Sequence, residues 1–416
     1  MSPGPASSLP VVTVRARDAR RLAAGHPWVF DGAVESAPSG IADGDLVGVE
    51  GPGHRLLGVG PYNGKSRIRV RLLARGPVAI DADFFERRIR AALAVRRRHL
   101  PEATSYRVVN SESDGLSGLV VDRYEDVLVV QIAALGIELR KSEVVTALER
   151  VFAPRAMLER SDGAARRFEG LAPTSGLLRG PAAGADPIEA ETSRIPIRLN
   201  GLRFEVDLAA GHKTGLYLDQ QANYEAVARF GRGGRVLDCF SFLGGFGLHA
   251  ARAGATQVRM LDQSEDAVAA SLRNAAANGL ADRCEAEVAN VFDWLKAHSR
   301  ADVRAAEAPW DLIVLDPPSF TRSRGAVADA LRGYKEIHLR ALRLLAPGGV
   351  LATFCCSHHV DAPAFQSAIQ AAAVDARVVL RRVAIYSQSP DHPVLPAVPE
   401  TEYLKGFAFE KLDERL

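Results

Sequence analysis

A chain of 416 residues, 47% hydrophobic and 25% charged, is too long for one ordinary core and implies two or three domains. It holds no apolar run long enough to span a bilayer, no charged-then-apolar leader, and only four irregularly spaced cysteines, which argues against a membrane protein or a secreted disulfide scaffold and for a reducing cytoplasm. The formal net charge is +2, yet residues 1–110 carry 17 Lys/Arg against 10 Asp/Glu while the remainder carries 35 against 40, so the front end is suited to a polyanion.

In chain order, a loose tail is followed over residues 11–75 by short strands cut by glycine-rich turns: VVTVRA, DLVGVEGPGHRLLGVGPYN and SRIRVRLLA. Alternation in SRIRVRL puts Ile68, Val70 and Leu72 on one face and Arg67, Arg69 and Arg71 on the other. One face packs and the other points at phosphate, so residues 1–77 predict a small β-barrel with these arginines as RNA-binding candidates. A solvated arginine surface is the plainer alternative. Residues 82–100 predict a helix with Phe85, Ile89, Leu93 and Val95 inward and the arginines outward. Hairpin strands flanking a turn follow, then the amphipathic helix KSEVVTALERVF and a further strand and loop. The Gly/Pro/Ala-rich stretch 171–190 reads as a linker, closing a middle α+β domain over 78–188.

A third domain spans 189–416. Asn200-Gly201 joins two alternating runs, a hairpin signal, and strands then alternate with helices over some 170 residues. That pattern requires a parallel, doubly wound α/β sheet. At its first strand–helix junction, VLDCFSFLGGFGLHAA, Gly244, Gly245 and Gly247 let backbone approach a ligand, although helix packing alone also uses glycine there. Asp262, ending the second strand 24 positions after Asp238, is placed to meet the paired hydroxyls of a ribose. Asp238 itself suits the ammonium of an amino-acid moiety, which nicotinamide cofactors lack, and Asn290 suits an adenine edge. Together these favour S-adenosylmethionine over NAD. The fourth strand ends LIVLDPPSF, where two prolines stop the ladder and fix an extended backbone beside Asp316. Phe240 and Pro317 join the cofactor-binding candidates. No pair of CxxC motifs and no HExxH is present, so no metal is expected.

The ordered set VLDCFSFLGGFG, VRMLDQS, VFDWL, LDPPSF, RGYKEIH, LATFCCS and DHPV…PE…YLKGF resembles the RlmI-type 23S rRNA (cytosine-5) methyltransferases. Upstream GHPWVFDGAV, ESDGLSGLVVDRY, ERSD and HKTGLYLDQQ extend the resemblance over nearly the whole chain. It implies an N-terminal PUA RNA-binding barrel, a middle linking domain and a Rossmann-like class I methyltransferase domain with a mostly parallel seven-stranded sheet. It implies S-adenosylmethionine as cofactor and 23S rRNA, naked or partly assembled, as partner, with no membrane; it leaves a homodimer open. Lys213, Thr214, Tyr217 and Asp219 of HKTGLYLDQQ would line the cofactor and substrate cleft, the alternative being a well-packed loop. This chain departs from its relatives at Gln221, often Arg, at Asn290, often Asp, and at Ser319, often Lys. In two-cysteine RNA cytosine methyltransferases a cysteine occupies the slot of Ser319, so a one-cysteine mechanism is implied.

Carbon-5 of cytosine is a poor nucleophile until a thiolate adds to carbon-6, and an acid at ring nitrogen-3 stabilises that adduct. TFCCS ends the fifth strand beside DPPS, so its cysteines approach Asp316. Successive strand residues face opposite ways, so one base meets one of them. The family pattern of aromatic, small residue, Cys, Ser gives Cys356 the nucleophile position, with Asp316 beside it, and leaves Cys355, Cys239 and Cys284 as buried, inert cysteines. His358 and His359 are expected to be solvated. Methylation of another rRNA base, such as a guanine nitrogen, and a non-catalytic RNA-binding assembly factor remain as alternatives.

Overall fold

The computed structural model describes residues 9–180, 194–208, 215–306, 308–321 and 323–413. The chain forms two compact units, each drawn from several stretches: residues 1–195, 207–215 and 390–401 in the first, and 196–206, 216–389 and 402–416 in the second.

The first unit contains separate small sheets. Strands Val34–Ser36, Val11–Val14, Leu46–Glu50 and Leu56–Pro61 pair in that order, and Trp28–Phe30 pairs antiparallel with Ile68–Arg71. Alternate residues Val12, Val14, Val47, Val49 and Val70 are buried in one cluster, as the period of two demands. A five-stranded sheet runs Thr174–Arg179, Ala156–Ser161, Val127–Ile132, Leu119–Tyr124, Ser105–Asn110. Helix Ala82–His99, capped by Asp81 accepting from the Phe84 N–H, buries Phe84, Phe85, Ile89, Ala92 and Leu93. Helix Lys141–Phe152 adds Val144, Ala147 and Leu148 to the same core.

The structure departs from the sequence pattern in three places. Strand Thr174–Arg179 occupies part of the predicted linker, pairing antiparallel with Ala156–Ser161. Arg71 does not point at solvent: it meets Glu169 at 2.9 Å and Glu112 at 3.5 Å, and lies over the Trp28 ring at 5.5 Å. Arg96, on the helix whose arginines were expected outside, is fully buried and holds Asp114 through two bonds of 2.5 and 2.8 Å. In both cases carboxylates distant in sequence supply the partner, and a buried cation so paired no longer needs water. Arg67 is exposed, and Arg69 donates to the Asn63 and Gly64 carbonyls.

The second unit is built on a seven-stranded sheet, counted among the described residues, in the order Cys284–Val288, Gln257–Asp262, Arg235–Cys239, Trp310–Leu315, Leu345–Cys355, Lys405–Lys411, Leu380–Tyr386. The first five are parallel, and Lys405–Lys411 runs antiparallel to both its neighbours. Central strands buried on both faces read as continuous apolar runs, as in Leu312 to Leu315, each 0% exposed. Asn200 and Gly201 take positive φ of 50° and 81°, the geometry of a type I′ hairpin turn. Helix Glu265–Ala277 starts on Ser264, whose side chain accepts from the Ala267 N–H, and stops before Gly279 at φ 68°.

Candidate active site

Parallel register brings the carboxyl ends of four adjacent strands together, and open α/β sheets bind ligands at that edge. Strand Arg235–Cys239 contributes Asp238, Gln257–Asp262 ends on Asp262, Asp316 follows Trp310–Leu315, and Cys356 follows Leu345–Cys355. Cys239 pairs in register with Leu315, and Leu315 with Thr353.

The turn after Asp238 is strained. Phe240 and Phe242 adopt left-handed φ of 64° and 48°, and Gly244 follows at 86°. Each non-glycine residue there costs on the order of 1–3 kcal/mol, held in place by its surroundings. The Phe242 N–H donates to Asp262 Oδ2 at 2.9 Å, and the Ser264 N–H to Asp262 Oδ1 at 3.0 Å. Gly245 opens helix Gly245–Arg252 against Tyr224; a Cβ there would stand 2.6 Å from the ring. The Gly247 N–H donates to Asp238 Oδ2 at 2.7 Å. Among the described residues Asp238 Oδ1 is buried without a partner, and the residue is 1% exposed. Burial, reinforced by the charges of Asp316 and Asp262 and opposed by the Gly247 bond, pushes this carboxyl up to about 8. An acid kept in such a place is short of one cation or donor.

Tyr217, Asp219 and Gln220 lead into helix Gln221–Ala228. Burial, with the charges of Asp316, Asp219 and Cys356, pushes the Tyr217 hydroxyl up to about 12. Asp219 is buried and accepts from the Tyr403 hydroxyl at 2.6 Å. Gln220 Nε2 donates to Asp316 Oδ2 at 3.1 Å. Asn290 is exposed and caps helix Val291–His298, its Oδ1 accepting from the Phe292 and Asp293 N–H groups at 3.0 and 3.3 Å. That cap commits its oxygen to the fold. Lys213 and Thr214 lie outside the described residues.

The four cysteines separate cleanly. Cys239 and Cys355 are 0% exposed and Cys284 is buried, whereas Cys356 is partly exposed. Burial raises the Cys239 thiol well above its ordinary range and Cys284 to about 12. Cys355, the last strand residue, faces the core near Tyr334, while Cys356 stands past the strand with Sγ 4.0 Å from the Pro317 carbonyl. Ser319 Oγ lies 2.8 Å from Ser357 Oγ and donates to the Thr321 carbonyl. His358 and His359 are exposed. Lys405 was not singled out from the sequence; its Nζ donates to the carbonyls of Ser357 at 2.6 Å and Tyr403 at 2.8 Å, bracing the loop that carries Cys356. Only the lysine in YLKGF, opposite the cysteine strand, pointed that way.

Among the described residues no cluster of three or more His, Cys, Asp or Glu is arranged to hold a metal, and no helix is long and apolar enough to cross a membrane.

Comparison with known proteins bears on this geometry. Residues 12–75 match the model of a PUA-like domain, and residues 184–399 that of an S-adenosylmethionine-dependent methyltransferase. A protein of Shewanella denitrificans called ribosomal RNA large subunit methyltransferase I is 41% identical over 93% of this chain and 96% of its own. Its namesake from Aeromonas salmonicida is 38% identical over 92% and 94%. Among solved structures, a SAM-dependent methyltransferase from Streptococcus mutans superposes with a TM-score of 0.78 at 21% identity, covering 96% of this chain and 99% of that one. A methyltransferase solved in complex with SAH gives 0.79 at the same identity and coverage. The unmet Asp238 oxygen fits S-adenosylmethionine, whose amino-acid end carries an ammonium group.

Proposed function

The chain belongs to the family of S-adenosylmethionine-dependent methyltransferases that includes ribosomal RNA large subunit methyltransferase I, and from that premise we propose that it methylates carbon-5 of a cytosine in 23S rRNA through a covalent Cys356–cytosine bond. One observation carries the finer part. Nitrogen methylation has no use for a thiol, yet the partly exposed cysteine stands beside the Asp316 turn while the other three are buried.

In this reading the Cys356 sulfur adds to carbon-6, and the carbon-5–carbon-6 electron pair moves onto carbon-5. Asp316 passes its proton to nitrogen-3, which keeps the ring neutral. S-adenosylmethionine, when bound, supplies the electrophilic methyl group that carbon-5 takes. A base then removes the carbon-5 proton, and as the Cys356 sulfur leaves with its electron pair the carbon-5–carbon-6 double bond re-forms and nitrogen-3 returns its proton to Asp316. Ser319 offers a hydroxyl rather than a second thiol, in keeping with a single-cysteine route.

Asp238 would hold the ammonium, Asp262 the ribose hydroxyls and the amide nitrogen of Asn290 an adenine edge. Phe240, Gly244, Gly245 and Pro317 would line the cofactor, with Tyr217 and Asp219 bordering the cleft. The barrel over 1–77 would bind naked or partly assembled rRNA and the domain over 189–416 would methylate it, in the cytoplasm. Arg67 and Arg69 remain the phosphate-contact candidates, whereas Arg71 is committed to Glu112 and Glu169. Such contacts make affinity fall steeply with salt. The target base must leave its stack to reach the sheet edge.

The test is mass-spectrometric mapping of 23S rRNA methylated by the protein and by Cys356→Ala. A 5-methylcytosine lost in the variant supports the proposal. A methylated guanine that survives Cys356→Ala would replace it with nitrogen chemistry. Absence of calorimetric heat with S-adenosylmethionine would leave an RNA-binding assembly factor.

A further inference from the structure

We propose that Gln220 is a positioning residue that steadies the carboxylate formed on Asp316 as its proton moves to nitrogen-3 of the base. This rests on the cytosine-5 reading above and assigns that site a further participant.

The chain of bonds starts at the carbonyl of Ser387, a group that only accepts. Asn223 Nδ2 donates to it at 2.9 Å, which fixes the orientation of the Asn223 amide. The same Nδ2 donates to Gln220 Oε1 at 2.6 Å. With its oxygen thus engaged, Gln220 turns its Nε2 toward Asp316 Oδ2 at 3.1 Å. A flipped Gln220 would set amine against amine and oxygen against carboxylate, so the chain of bonds has a single direction. Gln220 and Asn223 are 2% and 5% exposed, so water does not compete for these bonds.

A donor held against a carboxyl group is worth roughly twice as much when that group is ionised. Asp316 starts neutral in the proposed step and ends charged. The Gln220 N–H therefore strengthens as the proton leaves, and stabilises the transition state more than the bound substrate. The surroundings make that help useful. Once ionised, Asp316 pushes up Asp238, Tyr217 and Tyr224, so the charge it gains in the step is poorly screened in this part of the edge.

Gln220→Met removes the N–H at nearly constant volume. We expect kcat on 23S rRNA to fall about 100-fold, with KM for RNA and the calorimetric Kd for S-adenosylmethionine within about twofold, an effect confined to the transition state. In an Asp316→Asn background the same change should cost less than about threefold, because no carboxylate forms there for Gln220 to act on. Gln220→Glu keeps the bond from Asn223 while facing Asp316 with an oxygen, and should lose at least as much kcat; it serves if the methionine variant folds poorly. A loss carried by KM, or losses that multiply with Asp316→Asn, would overturn the proposal. If Asp316→Asn is slow but both Gln220 variants are fast, this inference alone fails. If Asp316→Asn or Cys356→Ala leaves cytosine methylation intact, the cytosine-5 reading fails and this one with it.

Discussion

In the first unit Arg96 grips Asp114 through two bonds, Arg71 lies between Glu112 and Glu169, Arg107 meets Asp122 at 2.8 Å, and Arg166 meets Glu138 at 2.8 Å. At the sheet edge of the second, Asp238, Asp262 and Asp316 crowd together, and one oxygen of Asp238 meets no donor among the described residues. The first arrangement neutralises buried charge within the protein; the second leaves a desolvation cost standing, on the order of 1–3 kcal/mol for such a group. A fold retains that cost where a ligand removes it. Buried acids paired with arginine thus belong to the scaffold, and a buried acid whose carboxyl is raised for want of a cation is a candidate place for a ligand.

The contrast can be broken in several ways, and the largest effect is expected at the edge. Cys356→Ala should lower methyl transfer by about 10⁴-fold or more, the scale seen on deleting a nucleophile, while the melting temperature stays near that of the parent. Cys355→Ala, one residue away in the core, should instead lower stability by about 1–2 kcal/mol and leave kcat within a few-fold. Equality of the two variants in kinetics would remove the distinction between them. In the first unit, Arg96→Met strands the Asp114 carboxylate and should cost about 3–5 kcal/mol in a denaturant titration, with cofactor affinity unchanged in the folded fraction.

Asp238→Asn sharpens the comparison from the other side. It keeps an acceptor for the Gly247 N–H but loses the charge, so S-adenosylmethionine should bind about 10- to 100-fold more weakly by calorimetry, without loss of folding stability. The smallest effect is its pH dependence. The Asp238 carboxyl is raised in the fold, to about 8, above an unfolded value of roughly 3.9. Its proton therefore stabilises the fold below the unfolded value, and that contribution is lost as pH rises through about 8. The parent should melt like Asp238→Asn near pH 4 and below it near pH 8; coincident curves at both ends would count against an unmet carboxylate.

Much of the second unit is legible in sequence because local signals and global fold agree there. Strand–helix alternation and Asn200-Gly201 both predict what is found. Strand alternation also separates the two cysteines, one facing the core and the other beyond the strand end. The first unit was harder. An arginine in a periodic pattern reads as a solvent face, and nothing near Arg71 announces Glu169, 98 positions away, as its partner. Strand Thr174–Arg179 was hidden because glycine and proline around it imitate a linker, and pairing with Ala156–Ser161 overrides that composition. Gln220 was passed over because a glutamine between an acid and a helix carries no local signature; its role comes from Asn223, Ser387 and Asp316 meeting around it.

The segment 390–401 closes the first unit although it comes from the far end of the chain. Asp391 within it accepts from the Arg107 N–H at 2.9 Å, and its carbonyl takes a bond from Arg96 at 2.7 Å. A protein cut near residue 195 would lack this plug, and two arginine-bearing elements would open onto an empty seat. During synthesis on the ribosome the front half must therefore wait, incompletely sealed, for almost the whole polypeptide to emerge.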